Sequence, residues 1–109
     1  MQHGPSNDKE RRPPRIPGAR FELGHIVHTR GVEAAVPLPY ILEAVLRHAH
    51  GDWGELGLED CQANEDALLH GGRILSAYSL PTAAANEARI YVITEADRSA
   101  TTVLLCEEY

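Results

Sequence analysis

The chain has 109 residues, 43% of them apolar, which suits one domain with its own core and leaves little spare stability for long unstructured inserts. Its two cysteines, Cys61 and Cys106, give no disulfide framework, and no run approaches the roughly 18 apolar residues of a membrane span. The formal charge of −6 is split: residues 1–20 carry five basic groups against Asp8 and Glu10, residues 21–109 five arginines against fourteen carboxylates. That leaves the second part at −9, which excludes a uniformly basic nucleic-acid-binding domain because phosphates would be repelled. Unpaired thiols and an N-terminus without an apolar leader give the expectation of a cytoplasmic protein with no membrane contact.

Residues 1–20 hold four of the seven prolines and almost no large apolar side chains. Such a segment does not bury enough surface to offset its ordering entropy, so a disordered, basic, polyproline-like arm is expected over 1–20, followed by a single domain over 21–109. A solubilising leader is the plainer reading of the arm, and a weak nucleic-acid tether the alternative.

The first strand is expected over Phe21–His28, with a bulge at Gly24, and a short helical turn over Gly31–Val36. From Leu38 to His50 the residues Leu38, Ile41, Leu42, Val45, Leu46 and Ala49 follow the spacing of one apolar helix face, opposite Tyr40, Glu43, Arg47 and His50. Pro39 suits the first turn of this helix and Gly51 its C-cap. A second helix is expected over Leu58–His70, with Glu59 and Asp60 in the first turn, His70 in the last and a weaker stripe of small apolar residues.

Three strands follow, over Arg73–Leu80, Arg89–Glu95 and Ala100–Cys106, the last two joined by the tight turn Ala96-Asp97-Arg98-Ser99. The order is β-α-α-β-β-β. It describes an α+β fold in which an antiparallel sheet, the C-terminal meander plus the N-terminal strand, carries two helices on one face.

Three groups of residues invite a chemical reading. His48-Ala49-His50-Gly51-Asp52-Trp53 matches the start of the H-x-H-x-D-H zinc signature of metallo-β-lactamase-fold hydrolases, which makes His48, His50 and Asp52 the metal alternative. Trp53 stands where that signature has its last histidine, so a helix end is the favoured reading: dipole histidines, a glycine cap and an Asx turn. His25 and His28, three apart on a strand, point to opposite faces. The run Thr94–Thr102 gathers Glu95, Asp97, Arg98 and several hydroxyls, either a polar recognition site or turn chemistry with Arg98 paired to Glu95. Glu59, Asp60, Glu65 and Asp66 make the second helix acidic.

The motifs Gly51-Asp52-Trp53-Gly54, Gly71-Gly72-Arg73-Ile74-Leu75-Ser76-Ala77-Tyr78, Ile93-Thr94-Glu95-Ala96-Asp97-Arg98-Ser99-Ala100-Thr101-Thr102 and Glu107-Glu108-Tyr109 carry a resemblance. Over roughly residues 21–109 the chain resembles short uncharacterised bacterial proteins of plasmids and integrative elements, sometimes labelled as related to type I restriction–modification. The resemblance implies a mobile-element context, in which small acidic proteins often bind a host or defence component, and it assigns no catalytic residue.

The expectation is therefore a non-enzymatic accessory protein without cofactor that binds and modulates another macromolecule, such as a restriction or CRISPR-type component. Its partner would be a protein with a basic, nucleic-acid-binding surface, met by Glu59, Asp60, Glu65, Asp66, Glu95, Asp97 and Arg98. A homodimer is compatible with the sequence. The alternatives are a small metal-dependent hydrolase using His48, His50 and Asp52, and a nucleic-acid-associated regulator tethered by the arm.

Overall fold

A computed structural model describes residues 16–82 and 87–109. The elements are β1 (His25–His28), α1 (Arg30–Ala35), α2 (Leu38–Ala49), α3 (Leu58–His70), β2 (Ile74–Pro81), β3 (Glu87–Thr94), β4 (Ala100–Leu105) and a closing 3-10 turn, Cys106–Glu108. The class is α+β in the expected order, with the short turn after β1 present as α1. Residues 1–15, most of the expected arm, and the tip of the β2–β3 loop lie outside the described residues. Residues 16–20 do not belong to a free arm: Ile16 and Ala19 pack on the core, and Arg20 is held by backbone and side-chain bonds. Burial of those two apolar side chains draws the fold's boundary back from Phe21.

The sheet order is β1-β4-β3-β2. The meander β2–β3–β4 is antiparallel, but β1 joins β4 in parallel, where an antiparallel partner was expected. The chain enters β1 beside the hairpin, with His25 N donating to Ser99 O. Gly24, at φ 64, makes that entry, and a Cβ there would run into the Ser99 carbonyl.

Register fixes one face of the sheet as the core face. Ile74, Ser76, Tyr78 and Leu80 of β2, Ile90, Val92 and Thr94 of β3, and Thr101 and Val103 of β4 all turn inward and are buried. Against them α2 packs Ile41, Ala44, Val45, His48 and Ala49. The apolar face read from the sequence is thus rotated. Leu38, Leu42 and Leu46 are 56, 51 and 45% exposed, and the buried stripe runs instead through Ala44 and His48. The rotation follows from hydrogen bonding, since both ring nitrogens of His48 find hydroxyl partners, Ser76 and Thr94, on the sheet beneath it.

Helix α3 buries only Asn64 and Ala67 fully, and it lies along the outer edge of β2. Asn64 donates to Leu75 O (2.8 Å) and accepts from Leu75 N (3.1 Å), replacing the missing neighbour strand. The segment before α3 does the same one pair further on: Ala77 N donates to Trp53 O and Glu55 N to Ala77 O. Gly54 (φ 74) allows this approach, because a side chain would strike the Ala77 carbonyl and the Tyr78 ring. At Leu75 and Ala77 the β2 edge is therefore covered by the chain itself.

Candidate functional site

The metal alternative dissolves on inspection of its three residues. His48 is fully buried, not on the polar side of α2. His50 is exposed and holds Leu46 O (2.7 Å) and Pro17 O (2.9 Å) through its two ring nitrogens, contacts that raise its pKa. Asp52 accepts from Arg47 Nε (2.6 Å) and from Gly54 N (3.1 Å), as the Asx-turn reading required. Arg47 in turn stacks over Tyr78, whose hydroxyl donates to Asp52 O. The three side chains point to three different sets of partners, and among the described residues no group of three or more His, Cys, Asp or Glu is placed to hold an ion.

His48 instead anchors a chain of buried hydrogen bonds. Its Nδ1 lies 2.6 Å from Ser76 Oγ and its Nε2 2.8 Å from Thr94 Oγ1. Thr94 Oγ1 is 2.7 Å from Thr101 Oγ1, which donates to Leu23 O at 2.7 Å. Proton counting sets the direction. A carbonyl only accepts, so Thr101 spends its proton on Leu23, Thr94 must donate to Thr101, and His48 must donate to Thr94 from Nε2. Ser76 then donates to the bare Nδ1. Phe21 and Trp53 flank the ring, edge-on at centroid distances of 5.2 and 6.1 Å. Burial among them drives the His48 pKa down to about 3, so the ring is neutral at pH 7.

A serine donating to a histidine is the start of a nucleophile–base pair. Both partners are fully buried, however, and the Ser76 proton and both ring nitrogens are taken up by the network, so no substrate atom reaches Ser76 Oγ. The chemistry of this cluster is structural: it ties α2, β2, β3, β4 and the N-terminal segment together. Sequence reasoning missed it, although Ser76 sits in line with Ile74, Tyr78 and Leu80, a polar residue on an inward face.

The hairpin cluster is likewise occupied. Arg98 is the one non-glycine residue with positive φ among those described, at 61°. Its guanidinium turns inward and donates to Gly72 O (2.7 Å), Ala67 O (3.0 Å), Glu95 O (3.1 Å) and Ala96 O (3.2 Å). It thereby caps the C-terminus of α3. The expected pairing with the Glu95 carboxylate is replaced by this capping, and Glu95 lies 3.6 Å from Arg73 instead. Asp97 binds the Ser99 amide at 3.0 Å, and hydrogen bonds from Ser99 side chain and backbone lower its pKa. Turn chemistry accounts for Asp97, capping of α3 for Arg98, and an exposed pairing with Arg73 for Glu95.

The acidic helix divides in two. Glu65 is engaged: Arg20 grips it with two nitrogens at 3.0 and 2.7 Å, and Trp53 Nε1 donates to it at 3.1 Å. The Arg20 bonds, then the indole bond, lower its pKa. It fastens the N-terminal segment to α3. Glu59, Asp60 and Asp66 are exposed and have no ion-pair partner among the described residues. Leu58 and Leu69, 75 and 77% exposed, stand at the two ends of the same helix. Asp60 also borders a shallow groove of about 500 Å³ over the outer face of β2 and β3, with Arg73, Arg89 and Tyr91 across from it. Among the described residues no helix is long and apolar enough to cross a membrane. No family model matches the chain, and neither the curated proteins nor the solved structures give a match.

Proposed function

We propose that this chain is a non-enzymatic accessory protein that docks its acidic helix α3 on a basic surface of another protein and modulates it. The observation that carries the reading is the bare outer face of α3. Glu59 and Asp66 stand there, and Asp60 lies in the first turn beside the groove, all three exposed and without an ion-pair partner among the described residues. A cluster of unneutralised carboxylates on a folded part at −9 steers toward cationic partners and presents the charge that a nucleic-acid-binding groove recognises. Exposed Leu58 and Leu69 supply apolar anchors beside those charges. The resemblance to mobile-element proteins favours a host defence component, of restriction or CRISPR type, as the target. The surface excludes Glu65, Asp97 and Arg98, whose side chains are committed to the fold.

The test is affinity capture from lysate of the source organism with the wild-type chain and with a Glu59→Lys, Asp60→Lys, Asp66→Lys variant. A nucleic-acid-binding protein retained by the wild type, displaced by added duplex DNA and lost with the variant is the expected result. Equal capture by the two proteins would refute the α3 surface.

A further inference from the structure

We infer that the chain forms a twofold homodimer by antiparallel pairing of β1 with β1 of a second copy, with Val27 on the axis. This inference is independent of the α3 docking surface. It begins from the unequal treatment of the two sheet edges. At β2 the outward peptide groups of Leu75 and Ala77 are bonded by Asn64, Trp53 and Glu55. At β1, the other edge, no described residue covers the strand: all four of its residues are exposed, with Ile26 at 46% and Val27 at 48%. No lysine, proline or bulge within β1 blocks pairing, the usual protections of an edge.

The ladder with β4 decides which groups are offered. His25 N and Thr29 N donate into β4, to Ser99 O and Val103 O. Successive residues of a strand turn their peptide groups to opposite sides, so Ile26 and His28 turn theirs outward. A second β1 running antiparallel closes all of these groups in one register only. Ile26 then faces His28 of the second copy, His28 faces its Ile26, and four N–H···O=C bonds form around Val27. A shift by two residues one way brings Gly24 into the ladder, where its φ of 64° is not extended. A shift the other way brings in Arg30, which is already helical.

Side chains agree with that register. Ile26 and His28 share the core face of the sheet, paired with Thr101 and Val103, so a twofold axis normal to the sheet brings like faces together. Charge argues for the same occupant. β1 itself carries no acidic or Arg/Lys side chain, so two copies meet along it without opposed like charges. Self-association through α3 would instead oppose carboxylates. The leucines left exposed on α2 lie on the flank away from Arg47, which stacks over Tyr78 of β2.

The experiment combines sedimentation equilibrium of the full chain with cysteine cross-linking. The wild type is expected at twice its 12.0 kDa chain mass. Val27→Cys is expected to cross-link on mild oxidation, because a non-hydrogen-bonded antiparallel pair places its Cα atoms about 4.5 Å apart, within disulfide range. The wild type, which keeps Cys61 and Cys106, serves as control. Ile26→Pro removes an outward N–H and leaves the β4 ladder intact; it and Val27→Lys are expected to weaken the dimer by about tenfold or more, with unchanged circular dichroism. A wild type that stays monomeric up to its solubility limit overturns the inference. So does a dimer of unaltered strength in both variants, or cross-linking at Ile26→Cys in place of Val27→Cys.

Discussion

The imidazole of His48 accepts a hydrogen bond from the Ser76 hydroxyl across a 2.6 Å contact, joining a helix to a strand 28 positions later in the chain. Because the same ring donates onward to Thr94, removing it strands two buried hydroxyls at once and opens a cavity under α2. His48→Ala should therefore cost at least about 3 kcal/mol, read as a lower urea midpoint, while His50→Ala at the exposed neighbour should leave the midpoint nearly unchanged.

The same burial makes stability depend on pH. The folded His48 pKa is about 3 and the unfolded value 6.5, so between these limits the unfolded chain binds a proton that the native state refuses. Stability then falls as pH falls through this window, by up to about 1.4 kcal/mol per pH unit. The depressed carboxylates Asp52, Glu65 and Asp97 act with the same sign, but only below their unfolded values of 3.8 to 4.5. His50, whose pKa is raised, acts with the opposite sign near the top of this window, so urea titrations between pH 6.5 and 5 in a His50→Ala background isolate His48. A triple change of His48→Leu, Ser76→Ala and Thr94→Val should flatten the profile there.

Arg98 carries both a strained backbone and a cap, and substitutions separate the two. Arg98→Ala loses the carbonyl bonds and keeps the left-handed φ, for a cost of about 2–3 kcal/mol. Arg98→Gly loses the same bonds but relieves the φ, so it should be more stable than the alanine variant by about 1 kcal/mol. Thermal or urea unfolding of the pair gives the difference directly.

Asn64→Asp tests the sealed edge. The carboxylate still accepts from Leu75 N, but it has no proton for Leu75 O and sets two oxygens against each other. A loss of about 2 kcal/mol at pH 7 is expected, with faster amide exchange at Ala77 as α3 loosens from β2.

Local signals carried much of the fold. The bounds of α3, the three C-terminal strands, the Gly51 cap and the Asx turns at Asp52 and Asp97 depend on neighbours a few positions away, and these were readable. The facing of α2 was not. Six apolar residues spaced for a helix suggested a stripe centred on Leu42 and Val45, yet a histidine with partners on the sheet outweighed three leucines. The candidate site changed for the same reason. Glu65 and Arg98 looked like solvent-facing charges until Arg20, 45 positions away, and the carbonyls of Gly72 and Ala67 took them up. Glu59, Asp60 and Asp66 have no such ion-pair partners among the described residues.

The sequence by itself determined the class, the order of elements and the segregation of charge, because periodicity, turn residues and composition act over short stretches of chain. Tertiary structure alone decided that β1 runs parallel to β4, that His48 is an interior residue and that one sheet edge is covered at Leu75 and Ala77 while no described residue covers the other. Those outcomes rest on hydrogen bonds between residues far apart in the chain, whose donors and acceptors acquire partners only when the elements meet.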